Sequence, residues 1–349
     1  MEKNENIDNK RRKKLPLAVK ILIAVFAVCI VVIGCASTAL LLTLNRVNKV
    51  GEEDRIAREE ESFEKDTNLP DDVPRVDEKD IIWKDADKTV MQDKDVVNIM
   101  LIGQDKREGQ GRQRSDSMIL ATFNKKEKKV MLTSFMRDLY VQIPGYSDNR
   151  INAAYAFGGM SLLDSTIEKN FGIHVDGNVE VDFQGFEDAI DILGGVAVEL
   201  NQAEADHLNQ SSGNWKNENS ENLGAGIYNL TGEQALAYAR IRYVGNSDYE
   251  RTDRQRQILL ALFEKMKQTS PAKTVETINQ LLPHITTDLS NGQILGYAWE
   301  VVNMHVQTAE SYRIPVDGAY QSAVVREMMV LIPDLEKNQE YLRKVLYNK

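Results

Sequence analysis

The pattern of apolar and polar positions divides the chain into three regimes. Residues 21–44 are apolar or small throughout, with Ser37, Thr38 and Thr43 as the mild interruptions and no charge. As a helix rising about 1.5 Å per residue, such a run reaches roughly 36 Å, enough to cross a hydrocarbon core of about 30 Å. In residues 45–94 the apolar positions lose any period. Glu59, Glu60 and Glu61 and the breaker run Leu69-Pro70-Asp71-Asp72-Val73-Pro74 predict a partly helical stalk there. From Asp95 onward, short apolar runs alternate with longer amphipathic ones. Residues 96–102, 117–123 and 130–135 read as strands buried on both faces, and residues 196–200 as another. Helix starts are signalled by Ser161, by Asp182, and by Thr231 with Gln234 completing a capping box. Further helices are predicted over residues 249–267, 272–282, 294–304 and 335–346.

This alternation predicts a three-layer α-β-α domain of the α/β class with a mixed central sheet, preceded by one transmembrane helix. The expected organisation is a tail over residues 1–20, the span over 21–44, a stalk over 45–94 and one large domain over 95–349.

Charge fixes the orientation of the expected span. Lys10, Arg11, Arg12, Lys13, Lys14 and Lys20 precede it, whereas Glu52, Glu53 and Asp54 soon follow it, so the amino terminus is expected in the cytoplasm and the domain outside. A lipoprotein signal ending at Cys35 competes with this reading, but the apolar run continues past it to Leu44. Cys29 and Cys35 both lie inside the run, so the exported part cannot rely on disulfides. The net charge is -10, and the first twenty residues are locally basic, which leaves the rest more acidic still. Nothing in that balance attracts nucleic acid, and any arginine cluster in the domain needs a local reason.

Several catalytic devices are absent. There is no Gly-x-x-x-x-Gly-Lys phosphate loop and no Gly-x-Ser-x-Gly elbow, and His174, His207, His284 and His305 are dispersed. What remains is arginine set beside acids at the ends of predicted elements. Asp105 follows the first strand, Arg114 and Asp116 enter the second, and Arg137-Asp138 follows the third. Strand ends of this kind share one edge of an α/β sheet, where ligands commonly bind. Arg240 and Arg242 leave the capped helix and would share one face if that exit is extended. Asp248, Arg251 and Gln255 share a helical face, with Arg254 beside it. Taken singly, each arginine could simply pair with a neighbouring acid. Gathered together, they repel unless anions lie between them, and the planar fork of arginine suits phosphate oxygens. Asp105 and Asp116 are hard oxygen ligands suited to Mg²⁺, which usually binds through one or two carboxylates plus substrate phosphates. Arginines with Mg²⁺ point to a pyrophosphate.

At these residues the chain resembles the LytR-CpsA-Psr family of cell-wall glycopolymer ligases. The matching stretches include Asn98-Ile99-Met100-Leu101-Ile102-Gly103, Arg114-Ser115-Asp116-Ser117, Ser134-Phe135-Met136-Arg137-Asp138, Arg150-Ile151-Asn152-Ala153-Ala154-Tyr155 and Ala237-Tyr238-Ala239-Arg240-Ile241-Arg242. The resemblance implies a Mg²⁺-dependent transferase of a Gram-positive cell membrane. It would join a polyprenyl-pyrophosphate-linked glycan, such as teichoic acid or capsule, to peptidoglycan and release polyprenyl phosphate. It further implies that Arg114, Arg137, Arg240, Arg242, Arg251, Arg254 and Gln255 surround the pyrophosphate and that Asp105 and Asp116 hold the metal. Arg137, Asp116 and Asp248 would be closest to the chemistry, Asp248 orienting the arginines. A second class of function is a module that binds polyprenyl phosphates and reports on the envelope without turnover. Binding to DNA would fall to the twenty-residue tail alone.

Overall fold

The computed structural model describes residues 44–51, 61–83, 89–104, 112–210, 222–242, 248–269, 280–306 and 308–348. The expected span lies outside these residues except for Leu44, and among the described residues no helix is long and apolar enough to cross a membrane. The fold below is that of the compact unit Val47–Lys349.

Its centre is a seven-stranded mixed sheet. In chain order the strands that matter most are β1 (Asn48–Lys49), β2 (Val96–Gln104), β3 (Ser115–Asn124) and β4 (Lys129–Phe135). After the small hairpin of β5 (Tyr140–Val141) and β6 (Asn149–Arg150) come β7 (Gly177–Asp182), the hairpin of β8 (Val196–Leu200) and β9 (Gly226–Leu230), and β10 (Ile285–Thr287). β11 (Thr308–Ile314) precedes the hairpin of β12 (Tyr320–Val325) and β13 (Met328–Pro333). The sheet runs β1-β10-β7-β2-β3-β4-β11, with β1 parallel to β10, β2 to β7 and β11 to β4, and the remaining pairs antiparallel.

Side chains alternate across a strand, so the two faces can be read by parity. Even positions such as Met100, Met118 and Leu120 enter a closed core with Phe157 and Phe171 of α1 (Ile151–Phe171) and Leu342 and Leu346 of the final helix, Leu335–Tyr347. Odd positions such as Ile99, Ile119 and Ala121 face the other way, toward the helices Asp248–Gln268 and Asn291–Met304. Between them in sequence lie α2 (Phe183–Ile192), α3 (Gln202–Gln210) and α4 (Gly232–Ala239), which close a satellite core over the β8–β9 hairpin. In chain order the remaining helices are therefore α5 (Asp248–Gln268), α6 (Asn291–Met304) and α7 (Leu335–Tyr347). The three expected layers are present, and the capping box at Thr231 and Gln234 forms as read.

Three expectations change. The stretch expected to be a stalk is in large part strapped to the domain: β1 joins the sheet, and Phe63, Val76, Ile81 and Trp83 pack on the β12–β13 hairpin. Trp83 also donates from Nε1 to Asp148 Oδ2 at 2.6 Å. An irregular strap buries isolated side chains and therefore has no period to read, which is why Asp95 looked like the start of the domain. Second, α1 begins at Ile151, ten residues before the Ser161 signal, because its N-cap Arg150 makes no side-chain cap. It kinks at Gly158 and Gly159, where Gly159 takes φ +64°. The carbonyls of Ala156 and Phe157, next to the kink, accept from Arg112 Nε at 3.2 Å and Nη2 at 2.9 Å. Third, the run 196–200 is a strand as read, and its partner, which the period could not name, is β9 of the satellite hairpin rather than a strand of the central sheet. Most of the helix expected over 272–282 lies outside the described residues.

A buried polar hub ties α1 to β7 and to the end of β10. Asn178 Nδ2 donates at 2.8 Å to Oδ2 of both Asp164 and Asp288. Burial, together with the nearby Asp288 charge, pushes the Asp164 carboxyl up to about 7 despite its hydrogen bond to Asn178. The folded protein thus holds a proton there that the unfolded chain releases near pH 4. This contribution to stability is complete below the unfolded value and is lost as pH rises toward 7, at up to about 1.4 kcal/mol per pH unit. Asp164→Asn is expected to flatten the denaturation midpoint between pH 4 and 7, and an unchanged slope would exclude Asp164 as its source.

Candidate anion site

The residues expected at strand ends do meet at one edge of the sheet. β3 runs antiparallel to β2 and β4, so its start lies beside their ends: Gln104 pairs with Ser115, and the β3–β4 register continued past Phe135 sets Arg137 opposite Asp116. Arg137 is the hub. Its Nη1 lies 3.3 Å from Asp116 Oδ1, its Nε 3.6 Å from Asp138 Oδ2 and its Nη2 3.6 Å from Asp248 Oδ2. The first turn of α5 sits over this edge, where Arg251 Nη2 reaches Asp248 Oδ1 at 3.0 Å. One turn further, Gln255 Oε1 accepts from Ser117 Oγ at 3.0 Å. Arg242 Nη2 approaches Asp116 Oδ1 at 3.9 Å.

Three of the expected arginines make other contacts. Arg240 ends α4 in helical conformation (φ -100°, ψ -2°), so strand alternation does not apply, and its guanidinium lies 4.7 Å over the ring of Phe183, just past the end of β7. Arg254 points into the satellite core, bound by Glu204 at 2.8 Å and Glu250 at 2.9 Å. A helix advances by 100° per residue, which is enough to turn Arg254 away from the face shared by Asp248 and Arg251. Arg114 stands beside the cluster rather than in it, donating from Nη1 to Asn152 Oδ1 at 3.2 Å and from Nη2 to Ser62 O at 2.6 Å. Asp105 lies outside the described residues, and among these no group of three or more His, Cys, Asp or Glu is gathered as for a metal.

The cluster could be mere pairing, but its geometry argues otherwise. Strong charge-assisted pairs sit near 2.7–2.9 Å, as Arg254 does with both its partners. Arg137 meets three carboxylates at 3.3–3.6 Å and forms a bidentate fork with none of them. The Nε atoms of Arg137 and Arg251 are buried with no hydrogen-bond acceptor among the described residues. Burial, and the like charge of Arg137, push the Arg251 guanidinium down to about 10 although Asp248 opposes this. Desolvated guanidinium donors left without acceptors are a feature of anion sites, and Arg137 lines a cleft beside them. That cleft, about 440 Å³, is lined by Arg137, Asp138, Arg150, Asp248, Tyr249, Ser322 and the strap residues Asp66, Thr67 and Asn68, among others.

On the odd face the packing is looser. Leu101, Phe123, Leu259, Leu260, Phe263 and Tyr297 are only partly buried between the sheet and helices α5 and α6, whereas the α1–α7 side is closed, with Met100, Leu120 and Phe171 fully buried. The family resemblance implies a lipid pocket between helices and sheet, but the sequence could not name its lining, because apolar positions look alike whether their neighbours close over them or not.

Fold and site together define an α/β protein whose sheet edge gathers arginines and carboxylates beside a cleft. The chain belongs to the LytR_cpsA_psr family, whose pattern it matches over residues 51–344. It is 31% identical over 319 residues to the Bacillus subtilis polyisoprenyl-teichoic acid–peptidoglycan teichoic acid transferase TagT, covering 85% of this chain and 91% of that one. It is also 30% identical over 230 residues to the regulatory protein MsrR of Staphylococcus aureus, covering 64% of this chain and 66% of MsrR. Among solved structures it resembles TagT bound to LI-WTA, with a TM-score of 0.60 and 28% identity over 75% of this chain and 95% of that one. TagT with bound octaprenyl pyrophosphate lipid superposes with a TM-score of 0.56 at 26% identity, over 75% of this chain and 95% of that one.

Proposed function

We propose that the chain transfers a polyprenyl-pyrophosphate-linked glycopolymer, of the teichoic acid or capsule type, to peptidoglycan through a phosphodiester. The observation that carries this reading is the pair of buried, unsaturated Nε donors on Arg137, which lines the cleft, and on Arg251, which is paired with the cleft residue Asp248. Arg137, Arg242 and Arg251 hold the phosphate oxygens, Gln255 and Ser117 border them, and Arg114 waits beside them. The prenyl chain lies between the sheet and α5, against the partly buried Leu101, Phe123, Leu260 and Phe263. Asp116 is suited to Mg²⁺, because Arg137 and Arg242 both approach Oδ1 while Oδ2 makes no hydrogen bond or ion pair among the described residues. Asp105 is the second ligand proposed. Bound there, Mg²⁺ would neutralise charge on the phosphates.

In the reaction, a sugar hydroxyl oxygen of the acceptor forms a bond to the glycan-side phosphorus. The bond from that phosphorus to the bridging oxygen breaks, and polyprenyl phosphate leaves with the electron pair. Asp116 is one candidate to receive the hydroxyl proton. The arginines are already ordered before reaction, so positioning and electrostatics supply most of the catalysis. Asp248 and Asp138 keep Arg137 from swinging away. The protein is proposed to be a single-span membrane protein with its amino terminus inside, which the basic residues before the apolar run support.

The test is release of polyprenyl phosphate from a purified donor, with and without peptidoglycan acceptor and divalent metal. A transferase releases it only with the acceptor, whereas an envelope sensor would retain the donor intact. Within this reading, Leu260→Trp is expected to raise KM for a long-chain donor roughly tenfold, within the usual cost of overpacking. It should leave a short-chain donor nearly unaffected, and an equal effect on both would place the prenyl chain elsewhere.

A further inference from the structure

Arg150 is absent from the set of expected phosphate ligands, yet few side chains in the molecule are held so firmly. It is 5% exposed. Its Nε and Nη2 donate to Met329 O at 3.3 and 2.8 Å, and its Nη1 donates to Glu64 O at 3.2 Å. Its Nη2 also binds Asp66 Oδ2, the same oxygen that accepts from the backbone of Met329 at 2.7 Å. The Arg150 guanidinium therefore rests on the strap and on β13 and does not swing.

From that fixed point a line of alternating charge leads to the hub. Arg150 Nε lies 3.4 Å from Asp138 Oδ1, and the other oxygen of the same carboxylate lies 3.6 Å from Arg137 Nε. The main chain of Asp138 is pinned as well, since its carbonyl accepts from Leu331 N at 2.9 Å. We infer that Asp66 and Arg150 are positioning residues that set the orientation of the Arg137 guanidinium through Asp138. The strap that follows the apolar run thus contributes to the geometry of the anion site, although it lies outside every motif that marks that site. Without Arg150 in place, Asp138 can rotate its carboxylate toward Arg137 and close the pair that the cleft geometry now keeps open. Arg137 would then present fewer free donors to a phosphate.

The inference rests on the phosphate-binding reading of Arg137, and its test separates the two. Asp66→Asn keeps the shape and an oxygen for Met329 N but removes the charge on Arg150. In the full-length protein it is expected to lower kcat of glycopolymer transfer roughly ten- to a hundredfold, the scale of a small misplacement of a catalytic group. KM for the donor should stay within about twofold while the unfolding midpoint hardly moves. The ¹⁵Nε resonance of Arg137 should shift, a signature that loss of strap packing alone does not produce. Combined with Arg137→Lys, Asp66→Asn should add little further loss, because both act on one group. Arg150→Lys, which keeps the charge but not the fork, should fall between Asp66→Asn and wild type if charge dominates the positioning. Losses that multiply in the double variant, or an unmoved Arg137 resonance, would overturn the inference. If Arg137→Lys itself leaves transfer intact, the phosphate-binding reading fails, and the resonance still decides whether Asp66 orients Arg137.

Discussion

Arg137→Ala is expected to lower kcat/KM for transfer by about a thousandfold or more, the scale associated with removing a preorganised charge-stabilising donor. Arg137 touches Asp116, Asp138 and Asp248 at once, so its loss removes phosphate donors and also leaves three carboxylates facing one another. The repulsion between them opposes a polyanionic substrate. Arg240→Ala should cost less, because that guanidinium stacks on Phe183 and makes no ion pair with Asp116, Asp138 or Asp248 among the described residues. Steady-state release of polyprenyl phosphate, beside thermal unfolding of each variant, measures both. Equal losses at the two positions would return Arg240 to the site, and a loss under tenfold at Arg137 would remove the hub from the chemistry.

Arg254→Ala is expected to destabilise the protein by roughly 3–5 kcal/mol, the usual cost of leaving one partner of a buried ion pair alone. Glu204 is 6% exposed, and Arg254, at 2% exposure, lies 2.8 Å from it while also donating to Ile241 O at 3.1 Å. Removing the guanidinium strands a buried carboxylate and a carbonyl in the satellite core. Arg254→Met with Glu204→Gln should recover part of that loss, since the charge that needed a partner is gone. Denaturant midpoints measure the effect. If Arg254→Ala stayed fully stable but ceased to turn over, Arg254 would belong to the anion site as its neighbours in sequence suggested.

Arg254 and Arg240 show where legibility along the chain ends. Both sit within motifs of the family, two or three residues from arginines that do reach the cluster. Whether a side chain points to the cleft depends on backbone angles: helical φ and ψ at Arg240 defeat the alternation that would have joined it to Arg242. For Arg254, one step around α5 exchanges the anion site for the satellite core. Local sequence states which residue types are near one another but does not fix their direction.

The amino-acid sequence by itself determined the layers, because runs buried on both faces and capped amphipathic stretches carry their period in the chain. It also placed Arg137, Asp116, Asp248, Arg251 and Gln255 at element ends that one sheet edge gathers. Tertiary structure alone decided that Asp66 and Glu64, from a stretch without period, clamp Arg150 and Arg114, and that several apolar side chains between the odd face of the sheet and helices α5 and α6 stay only partly buried. In the first case the contacts of Arg150 join residues more than eighty positions apart and that of Arg114 residues 50 apart, and the second case depends on helix placement. Neither distance nor a gap between packed layers has a local signature, since both arise only when separate parts of the chain compete for the same space.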